Sequence, residues 1–179
     1  MSRDFVEADL SGADLSDWIL IGEDFLKARL VAANLTGIEA TRVRFLNADL
    51  SFACLLYAYC DYACFAQAVL AHANLEHSHL HNADLTGADL TDADLTDADL
   101  TGADLTGAFL MRADLTNANL TTADLTRANL SGAILRGTTF NRTRLTGANF
   151  AGADLTQAKL SGVHLDDALN WRSPRSRRP

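Results

Sequence analysis

The chain predicts an all-β solenoid with a narrow core of Leu, Phe and Ala, and three observations carry that prediction. The first is a period of five. Taking every fifth residue from Phe5 to Leu165 gives 33 positions, of which 31 are Leu or Phe, the exceptions being Ala40 and Cys60. The phase never slips. The second is the company these positions keep. An alanine stands two residues before most of them, as at Ala8, Ala13, Ala28 and Ala33, and Asp or Asn commonly stands one before. Such a period suits neither an amphipathic helix nor a long alternating strand. It does suit short extended pieces, because Ala-x-Leu has the i, i+2 spacing that sends both side chains to one face. The third is glycine: all 11 glycines fall two residues after a central position, as at Gly12, Gly37 and Gly87. Glycine enters φ > 0 without penalty, so this register marks a recurring turn that lets every Leu point inward.

Composition narrows the class further. The 179 residues are 48% hydrophobic but only 7% aromatic, so Leu and Ala must do the packing. The length suits one domain, taken as residues 1–170, followed by a basic, disordered tail at 171–179. No apolar run reaches the roughly 18 residues of a membrane helix, and Met1 to Leu10 lacks the basic start and apolar stretch of a signal peptide. The expectation is a cytoplasmic protein with no membrane contact. Cys54, Cys60 and Cys64 are odd in number and crowded together, which excludes a disulfide or zinc framework.

The run Ala83 to Leu110, ADLTGADLTDADLTDADLTGADLTGAFL, resembles the A(D/N)Lxx signature of pentapeptide-repeat proteins, and the resemblance extends over about residues 3–168. It implies a right-handed quadrilateral β-helix with four pentapeptides per coil and about eight coils. The central Leu or Phe and the small residue two before it would lie inside. Members of that family include quinolone-resistance proteins that resemble DNA and bind DNA gyrase. The resemblance fixes a fold more closely than a function.

A four-sided coil requires a second period, of twenty, and the residues show it. Sorted this way, Phe5, Phe25, Phe45 and Phe65 form one column on a first face, and Ala40 and Cys60 are neighbours on the fourth. On the second and third faces the small residue is Ala in all seventeen units, whereas Trp18, Glu23, Ile38, Val43, Ser78, Thr138, Thr143 and Val163 lie on the other two. Large Phe45 and Phe65 each follow small Ala40 and Cys60 by one unit, the pattern of volume compensation in a close-packed core. At a strand spacing of ~4.8 Å the coils make a rod of about 40 Å. Solenoid ends need covering. Trp18 and Trp171 are read as end plugs, and the first coil, with almost nothing before it, is an end through which a homodimer would form. Glu23, a carboxylate in an inward slot, is expected to reach Arg3 or solvent.

The outward positions supply the candidate sites. Most Asp and Thr residues repeat as turn formers, bonding nearby backbone amides, and receive no catalytic role. His79 and His81 flank Leu80 on the fourth face, and a His-x-His on one strand face can chelate zinc or copper; otherwise they are surface residues loosely paired with acids. Residues 51–70 put Phe52, Leu56, Tyr57, Tyr59, Tyr62 and Val69 in outward slots where other coils carry Thr, Asp or Gly. Exposed aromatic patches mark interfaces; the alternative is that the rings lie along the rod and shield its backbone. The third face gathers seven acids, Asp14, Asp17, Glu76, Asp94, Asp97, Asp114 and Asp154, against one base, Arg136.

Net charge is −8, with four arginines in the last nine residues, so the acidic body disfavours direct nucleic-acid binding and points to a protein partner. No nucleophile–base pair, phosphate loop or specific metal cluster appears, and a filled rod lacks the concave pocket of an enzyme. The reading is a non-enzymatic interaction rod without cofactors. Its alternative is a mimic of DNA acting on DNA gyrase through Asp94, Asp97 and Asp114.

Overall fold

A computed structural model of the chain describes residues 5–163 and 168–170. Arg3, Trp171 and the arginine-rich segment 171–179 lie outside the described residues, and with them the expected Glu23 partner, one end plug and the tail.

The repeat works as a unit of local chemistry. In each pentapeptide the residue before the central one forms a parallel bridge with its counterpart twenty residues on, as in Asp94↔Asp114 and Tyr59↔His79, and all bridges keep that spacing. The four faces therefore advance one coil every 20 residues, in a right-handed quadrilateral β-helix. Around Leu95, Leu95 N–H donates to Asp114 O (2.7 Å), Asp97 N–H to Thr116 O (2.9 Å) and Asp94 N–H to Ala73 O (3.0 Å), while Ala98 N–H closes the corner on Leu95 O (3.1 Å). Three bonds join the coils and one bends the chain. Corners of this kind, with φ > 0 at the third residue, are type II turns.

All eleven glycines hold positive φ at that corner, as their register predicts, and non-glycine residues share it in other units. Side chains of the preceding carboxylate or amide explain part of this tolerance. Asp94 Oδ1 accepts from Thr96 N–H (2.9 Å), and Asp114 Oδ1 accepts from both Thr116 N–H and its hydroxyl. The expected turn-forming role of Asp and Thr is thus visible bond by bond.

Inside, the central residues from Leu20 to Phe150 and most of the alanines are buried. The Phe column is a continuous stack, with centroids 4.5, 5.1 and 5.0 Å apart from Phe5 through Phe25 and Phe45 to Phe65. Ala40, Ile38, Phe45, Cys60 and Phe65 are all fully buried, as volume compensation requires. Thr138 and Thr143 occupy alanine slots by donating their hydroxyls to Leu115 O and Leu120 O, each at 2.7 Å. Ser78 Oγ and Glu23 Oε2 are buried without a hydrogen-bond partner among the described residues. Trp18 is 39% exposed in its inward slot, so it covers the first coil only partly.

Candidate interaction surface

The β-helix makes three corner and face columns out of residues that look scattered in sequence. Phe52 stacks on His72 (4.8 Å, 11°), Tyr57 on His77 (5.1 Å, 5°) and Tyr59 on His79 (4.7 Å, 19°). Asp92, Asp97 and Asp99 occupy the next coil of the same columns. Ring, imidazole and carboxylate therefore follow one another three times, along both edges of the third face and along the middle of the fourth. A further corner column sets the Arg42 guanidinium 5.8 Å from the Tyr62 centroid. The pattern is legible at a spacing of twenty, but only the structure shows that the rings and imidazoles lie parallel.

Exposure separates the aromatic candidates. Phe52, Tyr57, Tyr59 and Tyr62 are 60, 53, 48 and 55% exposed, so each keeps about half its surface in water despite its stack. They span half the perimeter of one coil. Leu56 is half-buried between them in sequence, and Val69 lies on the second face, bridged to Asp49 and Asp89, away from the band. Phe52, Tyr57 and Tyr62 also hold φ between 57 and 61°. Bulky residues enter that region at a cost on the order of 1 kcal/mol or more.

The histidines do not converge. His79 lies against Tyr59, whereas His81 Nδ1 is 3.3 Å from Asp99 Oδ2 and its amide donates to Asp61 Oδ1 (3.1 Å). His77 Nε2 is 3.5 Å from Glu76 Oε1. Among the described residues no three His, Cys, Asp or Glu side chains gather as a metal site. Cys54 is on the third face and Cys64 on the first, both half-buried; Cys60 is fully buried, and burial pushes its thiol far above the usual range.

Charge is distributed along the rod as well as around it. Residues 45–111 hold ten acids and no Lys or Arg, while the remainder holds thirteen acids and fifteen bases. Several bases outside this zone pair one coil away, in Arg29–Asp9 (3.2 Å), Arg44–Asp24 (2.7 Å) and Arg144–Asp124 (2.9 Å), and Arg112 reaches into it to Asp92. Asp94, Asp97 and Asp114, the acidic-face candidates, sit on or beside the third face, but Asp94 and Asp114 each commit one oxygen to a turn. Ile134 then interrupts their column before Asp154, whose carboxyl is held down to about 2 by the Thr156 hydroxyl and by Arg136. The stretch without Lys or Arg is legible in the sequence as a simple charge count, whereas the carboxylate oxygens committed to turns are visible only in the structure.

A family model described as pentapeptide repeats matches residues 63–102, 93–132 and 123–162, more than half of the chain. The chain belongs to the pentapeptide-repeat family. None of the curated proteins matches it. Among solved structures it is similar to HetL, a pentapeptide-repeat protein of the cyanobacterium Nostoc sp. strain PCC 7120 involved in heterocyst differentiation regulation. Identity is 35%, TM-score 0.50, and the match covers 93% of this chain and 78% of HetL. It is also similar to a trypsin-treated variant of QnrB1, a plasmid-mediated fluoroquinolone resistance protein, at 23% identity and TM-score 0.60, covering 85% of this chain and 77% of that one. A second trypsin-treated QnrB1 variant aligns at 18% identity and TM-score 0.60, over 92% of this chain and 91% of its own. The QnrB1 likenesses establish the fold alone.

Proposed function

We propose that this chain is a non-enzymatic, cytoplasmic interaction rod whose aromatic band on the third and fourth faces takes a protein partner. The observation that carries the reading is the set of rings at Phe52, Tyr57 and Tyr62, half exposed at three successive corners of one coil, where the other coils place mostly glycine or polar and charged residues. Rings at such corners add nothing to the buried core, so their presence is better explained by a surface role. Acids dominate the surrounding coils, which favours a protein over a nucleic acid or anionic membrane. The likeness to HetL supports a regulatory role rather than a metabolic one.

The test is a pull-down from the source cell lysate with wild type and with Tyr57→Ser, Tyr59→Ser and Tyr62→Ser combined. A protein retained by wild type and lost by the variant supports the reading. Identical retained proteins refute it. Mimicry of DNA at gyrase is the second reading, weakened because turn bonds and Ile134 thin the acidic column. Exposed Ile19 and Ile21 in the first coil favour a second copy meeting that end, which light scattering across a dilution series checks.

A further inference from the structure

We infer that the space under Tyr57, where Gly37 carries no side chain, receives an arginine guanidinium from a partner protein. The inference rests on the aromatic band being a partner site, and it adds the chemistry of what that site holds. Asp17, Gly37, Tyr57 and His77 follow at twenty-residue spacing, with Asp17 N–H bonded to Thr36 O, Gly37 N–H to Leu56 O and Tyr57 N–H to Glu76 O. His77 covers one face of the Tyr57 ring at 5.1 Å and 5°. The other face looks toward Gly37.

The neighbouring corner shows what fits such a place. Arg42 stands twenty residues before Tyr62, as Gly37 stands before Tyr57, and its guanidinium lies 5.8 Å from that ring's centroid. The chain fills one corner with its own arginine; at the next, Gly37 brings no side chain and the Asp17 carboxylate reaches up from the coil before it. Counter-charge is therefore already present beneath the Tyr57 ring. Asp17 Oδ1 reaches to 2.5 Å from where a Gly37 Cβ would be, and exposed Glu39, in the same coil, is bridged to Tyr59. Among the described residues neither Asp17 nor Glu39 pairs with a Lys or Arg. A guanidinium can lay its flat face on a ring while its edge donates in plane to carboxylates, whereas an ammonium has neither a planar face to stack nor an in-plane fork. The absence of any Lys or Arg from residues 45–111 extends the same complementarity along the band.

The experiment titrates the full chain into a fluorescein-labelled peptide of alternating Arg and Gly, and into its Lys counterpart, by fluorescence anisotropy at moderate salt. The Arg peptide is expected to bind about three- to fivefold tighter than the Lys peptide. Gly37→Arg supplies the guanidinium from within the chain and should abolish that preference. It is compatible with the backbone, since Arg42, Arg112, Arg127 and Arg142 already hold the same positive φ, and the nearest obstacle is the far end of the Asp17 side chain, which turns aside. Tyr57→Leu should also remove the preference, and Gly107→Arg, which adds the same charge at a distant corner where nothing lies within 4 Å of the new Cβ, should keep it. Equal binding of the two peptides, or an unchanged Arg preference in Gly37→Arg, overturns the inference. The lysate pull-down separates the two levels. If the triple Tyr variant loses a partner that Gly37→Arg retains, the band stands as a partner site and the arginine assignment falls; release of that partner by Gly37→Arg alone supports it.

Discussion

Cys60 and Phe65 give the sharpest test of how this core is packed. Both are fully buried, one unit apart on adjacent faces, and Phe65 stacks on Phe45 at 5.0 Å. Cys60→Leu alone forces a larger side chain into a filled interior and should cost about 1–3 kcal/mol. Phe65→Leu alone loses the Phe45 ring contact, about 0.5–1.5 kcal/mol, and a void adds to that. Together they create the Leu–Leu pair that the rod already buries completely at Leu80 and Leu85 and at Leu100 and Leu105. The double variant should therefore lie within about 1 kcal/mol of wild type, well short of the sum of the single changes. At about 2–4 °C per kcal/mol for a chain of this size, each single variant melts several degrees lower and the double recovers most of the loss. Urea denaturation of all four proteins measures the coupling. Additive losses would show that the two side chains do not share a volume, and compensation between faces would have to be abandoned.

Deleting Thr86 to Leu105 removes one whole coil and keeps every column in register, so the fold should survive, whereas one residue inserted after Thr96 should lower the melting temperature far more; equal losses would contradict the twenty-residue coil. Asp154 is held at about 2 from its ordinary 3.8, chiefly by the Thr156 hydroxyl and then by Arg136, and hydrogen bonds from Ser11 and Ser16 lower Asp9 and Asp14 in the same direction. Carboxyls lowered in the folded state stabilise it above pH ~4 and lose that contribution as the pH falls toward ~2, so an acid titration followed by circular dichroism should show Asp154→Asn with a smaller loss over that window. Iodoacetamide should label Cys54 and Cys64 in the native protein and spare Cys60, whose thiol is fully buried and raised; mass spectrometry reads the sites. DNA gyrase supercoiling should be unaffected at low micromolar protein; inhibition that disappears when Asp94, Asp97 and Asp114 become Asn would replace the interaction-rod reading with DNA mimicry.

The amino-acid sequence by itself determined the coil, its phase and its core. Each residue of this fold meets mainly its own unit and the units twenty residues away, so the solenoid is close to one-dimensional and its geometry is written as periodicity. That is why Phe5 to Phe65 could be placed in one column, Ala40 and Cys60 beside the larger rings, and the glycines at positive φ. Tertiary structure decided what the outward side chains do. Their directions depend on rotamers chosen against neighbours in the adjoining coils, which no spacing rule contains. His79 turned to Tyr59 while His81 turned to Asp99, so the two imidazoles parted; Asp94 and Asp114 gave an oxygen to their own turns; and Thr138 and Thr143 entered alanine slots because carbonyls of the preceding coil accepted their hydroxyls. The corner at Gly37 became a feature only once the Tyr57 ring stood above it and the Asp17 carboxylate rose beneath it.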